Sequence, residues 1–353
     1  MIDKSFCVSS YLAFRYLWKD DVDFFEGFHH KLLKLQPDEK KVKVWSDIDI
    51  DIHIGHILNE INSKYRKIGV LLSGGMDSAI VASYLLPGSH AYTFCATDSS
   101  VFDQDLQRAK KYCEHLGLIH HLVEISAEDF ISLTPLVMKT KCAPVHSIEP
   151  QILKAALQAK QDGVEIMLIG DGADYVFGGM NLLLAKEWDY QEFIDRYIYI
   201  DPVKVLKQPD RHAMDLFLPY ARPNGGIDFL KFMTGPNTEE SYNSYWNAFK
   251  TAGLEYLDPY ENMVMGEPLD LKRVRNGESK YLIRELFKIR YPHYDIPEKI
   301  PMPRPLDTFL KDWEGPSRPE FIEGLNMKHF SSNQKWLMWC LELFLNLYNK
   351  PCQ

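Results

Sequence analysis

Three features that would define other classes of protein are missing from this sequence: a long apolar run, paired cysteines and an excess of basic residues. No stretch approaches the ~20 apolar residues that a helix needs to cross a membrane, and the first residues, MIDKSF, do not form the apolar core of a signal peptide. The six cysteines are scattered and include no CxxC pair. We therefore expect free thiols in a reducing cytosol and no cysteine-based zinc site.

The charge balance excludes a further class. Asp and Glu (49) outnumber Lys and Arg (40), which gives a net charge of -9. Because phosphate binding by a general nucleic-acid binder depends on basic side chains, we do not expect a nucleic-acid partner.

What is present is the composition of a globular protein. Apolar residues make up 46% of the 353 residues and charged residues 25%, which is not the composition of a disordered chain. The length exceeds one typical domain of roughly 100–200 residues, so we expect two lobes.

Short apolar runs alternate with amphipathic segments between residues 68 and 169. The pattern predicts strands at 68–72, 91–96, 121–125 and 164–169, and helices at 78–86, 103–116, 127–138 and 149–161. Wholly apolar strands that alternate with helices are typical of a doubly wound parallel α/β sheet, which is covered on both faces. Beyond residue 181 the pattern is mostly helical and aromatic, and it ends in a predicted helix at 331–348. We therefore expect a mostly helical C-terminal lobe beside the sheet.

The first functional motif, SGGMDS, starts at Ser73 and lies between a predicted strand and a predicted helix. Gly74 and Gly75 allow a tight turn and keep side chains away from a ligand. With the hydroxyls of Ser73 and Ser78, the amides at the start of the helix would bind an anion. The carboxylate of Asp77 would repel a phosphate unless a divalent cation lay between them, and Mg²⁺ binds carboxylate and phosphate oxygens together. The motif therefore predicts a site for Mg²⁺ and a triphosphate.

This motif is not the GxxxxGK[ST] loop of kinases and motor ATPases. It resembles the signature of the N-type ATP pyrophosphatases, the family of asparagine synthetase, GMP synthetase and several tRNA-modifying enzymes. The resemblance implies that ATP is split between its α and β phosphates, that an oxygen of the substrate is adenylated, and that pyrophosphate is released. It also implies an adenine nucleotide α-hydrolase-like (PP-loop) core at 61–185, preceded by an N-terminal segment at 1–60 and followed by a helical lobe at 186–353 that completes the substrate pocket.

A second motif, GDGADYVFGGM at 170–180, follows the last predicted strand and resembles the GEGADExFGGY stretch of asparagine synthetases. Both motifs would lie at the carboxyl ends of strands, where open α/β sheets bind ligands. The resemblance makes Asp174 the second Mg²⁺ carboxylate, beside Asp77. Asp171 stands where asparagine synthetases have Glu and β-lactam synthetase has Tyr, and a role as general base or as the group that orients an amine is implied for it. Met180 is closer to β-lactam synthetase, so the resemblance leaves the substrate open.

Other matches to the family extend over most of the chain. KYLIR, which begins at Lys280, resembles the family's KxxLR helix and gives Lys280 a catalytic role. Arg304 or Lys299 falls on the basic loop that would stabilise the leaving pyrophosphate, and the choice between these two cations is open. By position, three residues would supply backbone contacts to adenosine: Leu72, Ala96 and Gly170.

The part of the pocket that would meet the substrate differs from the family. Where Asp-Glu-Pro is usual, this chain has KCAP at 141–144, so two acids are lost and a lysine is gained. We therefore expect a different substrate. Three residues near the predicted pocket are assigned to substrate binding, His146, Glu149 and Gly172, while surface or capping roles stay open for the first two. The adjacent histidines at 29–30 and 120–121 are not expected to share a metal, because neighbours on a strand point to opposite faces.

The expected activity is that of an ATP- and Mg²⁺-dependent, AMP-forming carbon–nitrogen ligase. It would adenylate the carboxylate of a small molecule or a peptide and transfer the acyl group to an amine or to ammonia. An intramolecular cyclase of the β-lactam or lasso-peptide type is the first alternative. A tRNA- or base-modifying enzyme and a non-catalytic partner subunit are alternatives of other classes.

The expected source of nitrogen follows from the start of the chain. Residue 2 is Ile, where glutamine-dependent asparagine synthetases carry a nucleophilic cysteine after the initiator methionine. We therefore expect the nitrogen to come from free ammonia, from an amine substrate, or from a separate glutaminase or biosynthetic partner protein. The sequence predicts no membrane partner and leaves the oligomeric state open.

Overall fold

The computed structural model describes residues 1–96, 103–298, 302 and 304–348. In chain order the strands are β1 (Val42–Val44), β2 (Ile68–Leu71), β3 (His90–Ala96), β4 (Ile119–Ile125), β5 (Ile166–Leu168), β6 (Glu255–Leu257) and β7 (Met263–Met265). Five of them form a central sheet in the order β4-β3-β2-β5-β6, and β1 pairs with β7 in a small second sheet. All of these pairs are parallel.

Helices cover the central sheet and form most of the C-terminal half. In chain order they are α1 (Lys4–Phe14), α2 (Asp47–Lys64), α3 (Met76–Ala82), α4 (Asp103–Leu116), α5 (Ala127–Lys141), α6 (Glu149–Gln161), α7 (Gly172–Val176), α8 (Asn181–Leu184), α9 (Tyr190–Tyr197), α10 (Phe229–Phe232), α11 (Thr238–Ala252), α12 (Leu271–Arg275), α13 (Tyr281–Arg290), α14 (Leu306–Phe309) and α15 (Ser332–Tyr348). Within the described ranges, none of these helices is long and apolar enough to cross a bilayer.

The predicted doubly wound parallel sheet is confirmed. The helix after the first motif is shorter than predicted and ends at Ala82, because the amides of Tyr84 and Leu85 bond to carbonyls three residues back and tighten the last turn. Strand β6 was not predicted. It is only three residues long, is not fully buried, and extends the sheet beyond β5 from a region that the sequence pattern assigned to helices.

The order of the strands places the two motifs next to each other. The chain runs from β2 outward through β3 and β4, and then returns to β5 on the other side of β2. The loops that follow β2 and β5 therefore leave the sheet at the position where the winding direction changes. In open α/β sheets, ligands bind in the crevice that opens at this position.

Apolar side chains on alternate positions of the strands cover both faces of the sheet. On β5, Met167 packs in one cluster with Ile152 of α6, while Leu168 packs in another with Ile80 of α3 and Phe287 of α13. A third cluster, rich in phenylalanine, joins α1, α9 and α10. The sheet is thus fixed on both sides, which makes the loops at its carboxyl edge a rigid base for a site.

Candidate active site

The first motif forms a closed turn between β2 and α3. Gly74 has a φ of 78°, and a Cβ atom there would lie 2.3 Å from the carbonyl oxygen of Asp105, so only glycine fits. The Ser73 amide donates a hydrogen bond of 3.1 Å to the Ser78 hydroxyl, and the two serine hydroxyls lie 3.1 Å apart. The Ser73 hydroxyl also accepts a bond of 3.3 Å from the Gly75 amide. These bonds hold the turn in one shape with its hydroxyls side by side.

The second motif is anchored from behind by a buried carboxyl group. Asp258 accepts hydrogen bonds from the amides of Gly172, at 2.7 Å, and Tyr260, at 2.9 Å. Burial raises the pKa of Asp258 well above its usual range, although these two amides act against the shift. A Cβ atom on Gly172 would lie 2.3 Å from the Tyr242 hydroxyl. Gly172 is therefore packed against Asp258 and Tyr242, and its contact with a substrate stays a prediction.

The two motifs touch through their backbones. A Cβ atom on Gly170 would lie 3.1 Å from the carbonyl group of Asp77, so the loops can come this close only because Gly170 has no side chain. The Tyr260 hydroxyl donates a hydrogen bond of 3.1 Å to the Asp77 carbonyl oxygen and ties the first motif to the chain that follows β6. As a result Asp77, Asp171 and Asp174 all face one cavity.

Lys280 lies between the two predicted metal carboxylates. Its Nζ atom is 2.6 Å from Asp77 Oδ2 and 2.9 Å from Asp174 Oδ1. Lys280 has a φ of 53°, in the left-handed region, and is the residue directly before α13. Burial alone would lower the pKa of Lys280, but the carboxylates of Asp77 and Asp174 outweigh it and raise that pKa. Lys280 is therefore charged at neutral pH, and it forms an ion pair with both facing carboxylates.

The cavity between the motifs has a volume of about 450 Å³, which is within the range of roughly 300–1,000 Å³ for small-molecule sites. Its lining includes most of the predicted ATP and metal residues, namely Leu72, Ser73, Gly75, Asp77, Ser78, Gly170 and Asp174, and two of the predicted catalytic residues, Asp171 and Lys280. Phe94, Ile169 and Met302 add apolar surface of the kind that a planar base can contact.

The predicted adenosine contacts lie along the carboxyl ends of β2, β3 and β5. The Leu72 amide donates a hydrogen bond of 2.9 Å to the Tyr92 carbonyl oxygen. The Leu72 carbonyl oxygen accepts a hydrogen bond of 2.8 Å from the Thr93 hydroxyl. A second lone pair on that oxygen is still available to a ligand. Ala96 is the last residue of β3, and Gly170 follows β5 by two residues. Their roles toward adenosine stay predictions.

A buried polar wall lies beside the cavity; we define it as Arg15, Lys141, His146, Glu149 and Glu240. Arg15 donates to Glu240 at 2.7 Å and lies 3.1 Å from His146 Nε2. Glu149 Oε1 accepts bonds from Lys141 Nζ at 2.6 Å and from the His146 amide at 2.7 Å. Burial raises the pKa of Glu149 to about 6, partly offset by Lys141. His146 and Glu149 thus lie together in this wall, but neither is among the described residues that line the cavity, and their contact with a substrate stays a prediction.

Helix α11 connects this polar wall to the acids of the second motif. Glu240 belongs to the wall, and the next residue, Ser241, donates a hydrogen bond of 2.6 Å to Asp171 Oδ2. Tyr245, one turn further along α11, lines the cavity. Arg15, Glu240, Ser241 and Tyr245 were not found from the sequence, because no motif marks them. The one available signal was the run of small polar residues within the aromatic α11, SYNSYWN.

Of the two basic residues predicted to contact the leaving pyrophosphate, the structure describes one. Arg304 Nη1 lies 3.3 Å from the Ser147 hydroxyl, 3.3 Å from Asn333 Oδ1 and 3.5 Å from His146 Nε2, so it adjoins the polar wall. Lys299 lies outside the described residues. The structure therefore does not choose between them, and both assignments stay predictions.

We expect His146 to make the stability of the protein depend on pH. Burial, followed by the positive charges of Arg15 and Arg304, holds the pKa of folded His146 well below its ordinary value of 6.5. Below that pH the unfolded chain binds a proton that the folded protein does not, so the contribution of His146 to stability is fully present above pH 6.5 and is lost as the pH falls. The loss amounts to about 1.4 kcal/mol per pH unit.

The test is urea unfolding of the wild type and His146→Gln between pH 7 and pH 5. The variant should lose less unfolding free energy over this interval than the wild type. His56→Gln, on the exposed face of α2, is the matched control and should keep the wild-type slope. Identical slopes for His146→Gln and the wild type would contradict the burial argument.

The fold is that of a doubly wound α/β protein. Its cavity lies at the position where the winding direction changes, and it is lined by a glycine- and serine-rich turn and by two carboxylates that Lys280 joins. A family model described as "Asparagine synthase" matches residues 63–258, more than half of the chain. The chain belongs to the asparagine synthase family.

Curated relatives agree over a shorter region. "Asparagine synthetase [glutamine-hydrolyzing]" of Asparagus officinalis is 34% identical over 138 residues, which are 35% of this chain and 23% of that protein. "Asparagine synthetase [glutamine-hydrolyzing] 1" of Arabidopsis thaliana is 34% identical over 140 residues, again 35% of this chain and 23% of the relative. The chain thus matches less than a quarter of the length of these relatives.

Among solved structures, the similarity is weak. The NMN synthetase from Francisella tularensis aligns with a TM-score of 0.29 and 23% identity, over 39% of this chain and 60% of that one. The NH3-dependent NAD synthetase from Campylobacter jejuni aligns with a TM-score of 0.31 and 16% identity, over 56% of this chain and 97% of that one.

Proposed function

We propose that this protein is an ATP-dependent, AMP-forming amide ligase. It adenylates a carboxylate substrate, releases pyrophosphate, and transfers the acyl group to an amine or to ammonia. Membership of the asparagine synthase family supports ligase chemistry that uses ATP. The observation that carries the proposal is that Lys280, just before α13, lies within hydrogen-bond distance of Asp77 and Asp174 on the two motif loops, and that all three residues line one cavity.

Asp77 and Asp174 suit a Mg²⁺ ion. They are two carboxylates on facing loops, and Mg²⁺ in proteins is usually held by one or two carboxylates together with phosphate oxygens of the substrate. Lys280 Nζ lies within 3 Å of one oxygen of each carboxylate, so it holds the two side chains close enough together to share an ion. When bound, Mg²⁺ would offset the negative charge of the triphosphate.

The remaining residues of the motifs are assigned to the nucleotide. Ser73, Gly74, Gly75 and Ser78 form the turn that receives phosphate oxygens through amides and hydroxyls. The carboxylates of Asp77 and Asp174 keep Lys280 charged and hold its ammonium group in place. It can therefore stabilise the charge that develops on the leaving pyrophosphate without first having to reorient. The adenosine contacts are assigned to Leu72, Ala96 and Gly170, and Arg304 and Lys299 remain the candidate cations of the basic loop.

Asp171 is assigned to the amine. An amine nitrogen would attack the acyl carbon of the acyl-adenylate, the bond from that carbon to the phosphate oxygen would break, and AMP would leave with the bonding electrons. The nitrogen must lose a proton in this step, and the carboxylate of Asp171 is the proposed acceptor. His146, Glu149 and Gly172 are assigned to the substrate that this amine attacks.

Removing the hydrogen bond between Ser241 and Asp171 should slow the second half of the reaction selectively. The bond is 2.6 Å long and fixes one oxygen of Asp171, and loss of such a bond to a charged group corresponds to roughly tenfold or more in rate. We expect Ser241→Ala to lower the rate of amide formation by about this factor and to leave ATP–pyrophosphate exchange within about twofold of the wild type.

The matched control is Ser244→Ala. Ser244 is also buried on α11, but its hydroxyl donates to the Glu240 carbonyl oxygen within the helix. It should show neither effect. Equal losses of exchange and amide formation in Ser241→Ala would show that Asp171 does not act on the amine alone.

The proposed function itself is tested by screening carboxylates for ATP–pyrophosphate exchange in the presence of Mg²⁺. Exchange that depends on one carboxylate would support it, whereas ADP and phosphate as products would overturn it. Ammonium salts and candidate amines, added separately to the carboxylate that gives exchange, identify the nitrogen source. A cyclised product formed without any added amine would identify the intramolecular alternative.

A further inference from the structure

A second group of metal-binding side chains lies at the opposite edge of the central sheet. The group consists of His90, His121 and Asp162. His90 is the first residue of β3 and pairs with Ile119, the first residue of β4, while His121 follows two positions later on β4. Asp162 directly follows α6, before the chain enters β5. These positions belong to the amino edge of the parallel strands. The candidate active site is at the carboxyl edge, so the two groups are separate.

The strand register brings two histidines onto one face of the sheet. His90 and Tyr92 are two residues apart on β3 and so point to the same side, and Tyr92 is the register partner of His121 on β4. His90 Nδ1 lies 2.9 Å from His121 Nε2, and the two rings are nearly parallel, with 5° between their planes. The neighbouring residue His120 points to the other face of the strand, where its Nε2 atom lies 2.9 Å from the Thr93 hydroxyl.

A carboxylate completes the group. Asp162 Oδ2 lies 3.5 Å from His121 Nδ1 and accepts a hydrogen bond of 2.8 Å from the Tyr92 hydroxyl. One ligand atom from each of His90, His121 and Asp162 lies within 4.8 Å of the others. The side chains of His121 and Asp162 retain 20% and 32% exposure, so an ion from solvent can reach them.

The donor atoms of the three side chains are of the kind that an ion with a preference for imidazole selects. Two nitrogens bound to zinc at about 2.0–2.1 Å are roughly 2.9–3.4 Å apart for angles between 90° and tetrahedral. The observed 2.9 Å joins His90 Nδ1 to His121 Nε2, whereas Asp162 Oδ2 faces His121 Nδ1, so the ring of His121 must turn for all three residues to share one ion. The donor set of two imidazoles and one carboxylate favours Zn²⁺ and similar transition metals over Mg²⁺, which selects oxygen ligands.

We propose that His90, His121 and Asp162 form a Zn²⁺-binding site, with water in the remaining coordination position and the Tyr92 hydroxyl orienting the carboxylate. The ion would join β3 and β4 to the end of α6. Because α6 also carries Glu149 in its first turn, such a clamp would hold the helix that contributes to the polar wall of the active site. The backbone oxygen of Asp162 is bonded to Lys67 Nζ at 3.0 Å, and this nearby positive charge limits the affinity of the site.

The test uses the full chain, freed of metal by a chelator and titrated calorimetrically with Zn²⁺ while Mg²⁺ is present in excess. We expect one Zn²⁺ per chain for the wild type, a Tm that rises with Zn²⁺, and at least tenfold weaker binding in His121→Gln. His120→Gln is the matched control, since it alters the adjacent residue on the other face of the same strand. It should bind as the wild type does.

A second measurement keeps the proposal testable if His121→Gln does not fold. Co²⁺ bound by histidine nitrogens absorbs in the visible, and we expect this band in the wild type and in Asp77→Asn, with its loss in His90→Gln. Failure of the wild type to bind Zn²⁺ would overturn the proposal, and so would equal binding by the wild type and by the folded His90→Gln and His121→Gln variants. Because Asp77→Asn removes a residue of the active site only, its result separates this site from the proposed ligase function.

Discussion

Asp174→Asn should reduce ATP–pyrophosphate exchange on the order of a thousandfold and leave the protein folded. The substitution removes one of two carboxylates proposed to hold Mg²⁺ against the triphosphate, and the loss of a group that stabilises charge in a transition state is typically of this size. Asparagine is chosen because it keeps the shape of the side chain. A Cβ atom on Gly179 would lie only 2.0 Å from Asp174 Oδ1, so Gly179 is packed closely against this carboxylate and a side chain of unchanged shape is needed at position 174 to keep that packing.

The experiment measures exchange as a function of Mg²⁺ concentration, with the far-UV circular dichroism melt of each variant. Asp195→Asn is the control, because this exposed carboxylate on α9 accepts a hydrogen bond from Gln191 in its own helix. It should behave as the wild type does. Exchange at the wild-type rate in a folded Asp174→Asn protein would refute the assignment of Asp174 to the metal. A lower maximal rate with an unchanged Mg²⁺ dependence would place Asp174 in another role.

The local shape of the site could be predicted because it depends on neighbours in sequence. Gly74 adopts its left-handed conformation in a turn of six residues, and the sequence of that turn alone indicates the geometry. The strand order could be anticipated only as a class, since alternating strands and helices imply a doubly wound sheet without fixing which strand lies beside β2. The return of the chain to β5 is what places Gly170 against Asp77.

The polar wall could not be predicted because its members are distant in sequence. Arg15 and Glu240 are paired although 225 positions separate them, and neither belongs to a motif. Helix α11 is buried on most of its surface, and a buried helix normally reads as apolar, so the polar residues Glu240 and Ser241 gave no pattern that pointed to a partner. Their partners become clear only from the packing of α11 against α6 and the end of α1.

Lys280→Met should destabilise the protein most when Mg²⁺ is absent. Without the ammonium group, Asp77 and Asp174 would lose the cation that lies within hydrogen-bond distance of both, and breaking a buried ion pair by removing one partner costs about 3–5 kcal/mol. Methionine has a side chain of similar length to that of lysine. Like lysine it carries a Cβ atom, so the substitution does not alter the steric demand of the left-handed backbone at position 280. Mg²⁺ should restore much of the lost unfolding free energy, because it would bind the carboxylates of Asp77 and Asp174 in the folded protein only.

The measurement is chemical unfolding of Lys280→Met with and without Mg²⁺, beside Lys288→Met as an exposed control on the same helix. The double variant Lys280→Met/Asp174→Asn decides the cause. If repulsion between the carboxylates is the source of the instability, removing one of them should recover stability in the absence of Mg²⁺ and abolish the response to Mg²⁺, while exchange activity stays lost. If the double variant is less stable than Lys280→Met alone, the lysine stabilises the fold through its packing, and its bridging of the two acids is not the reason that it is buried there.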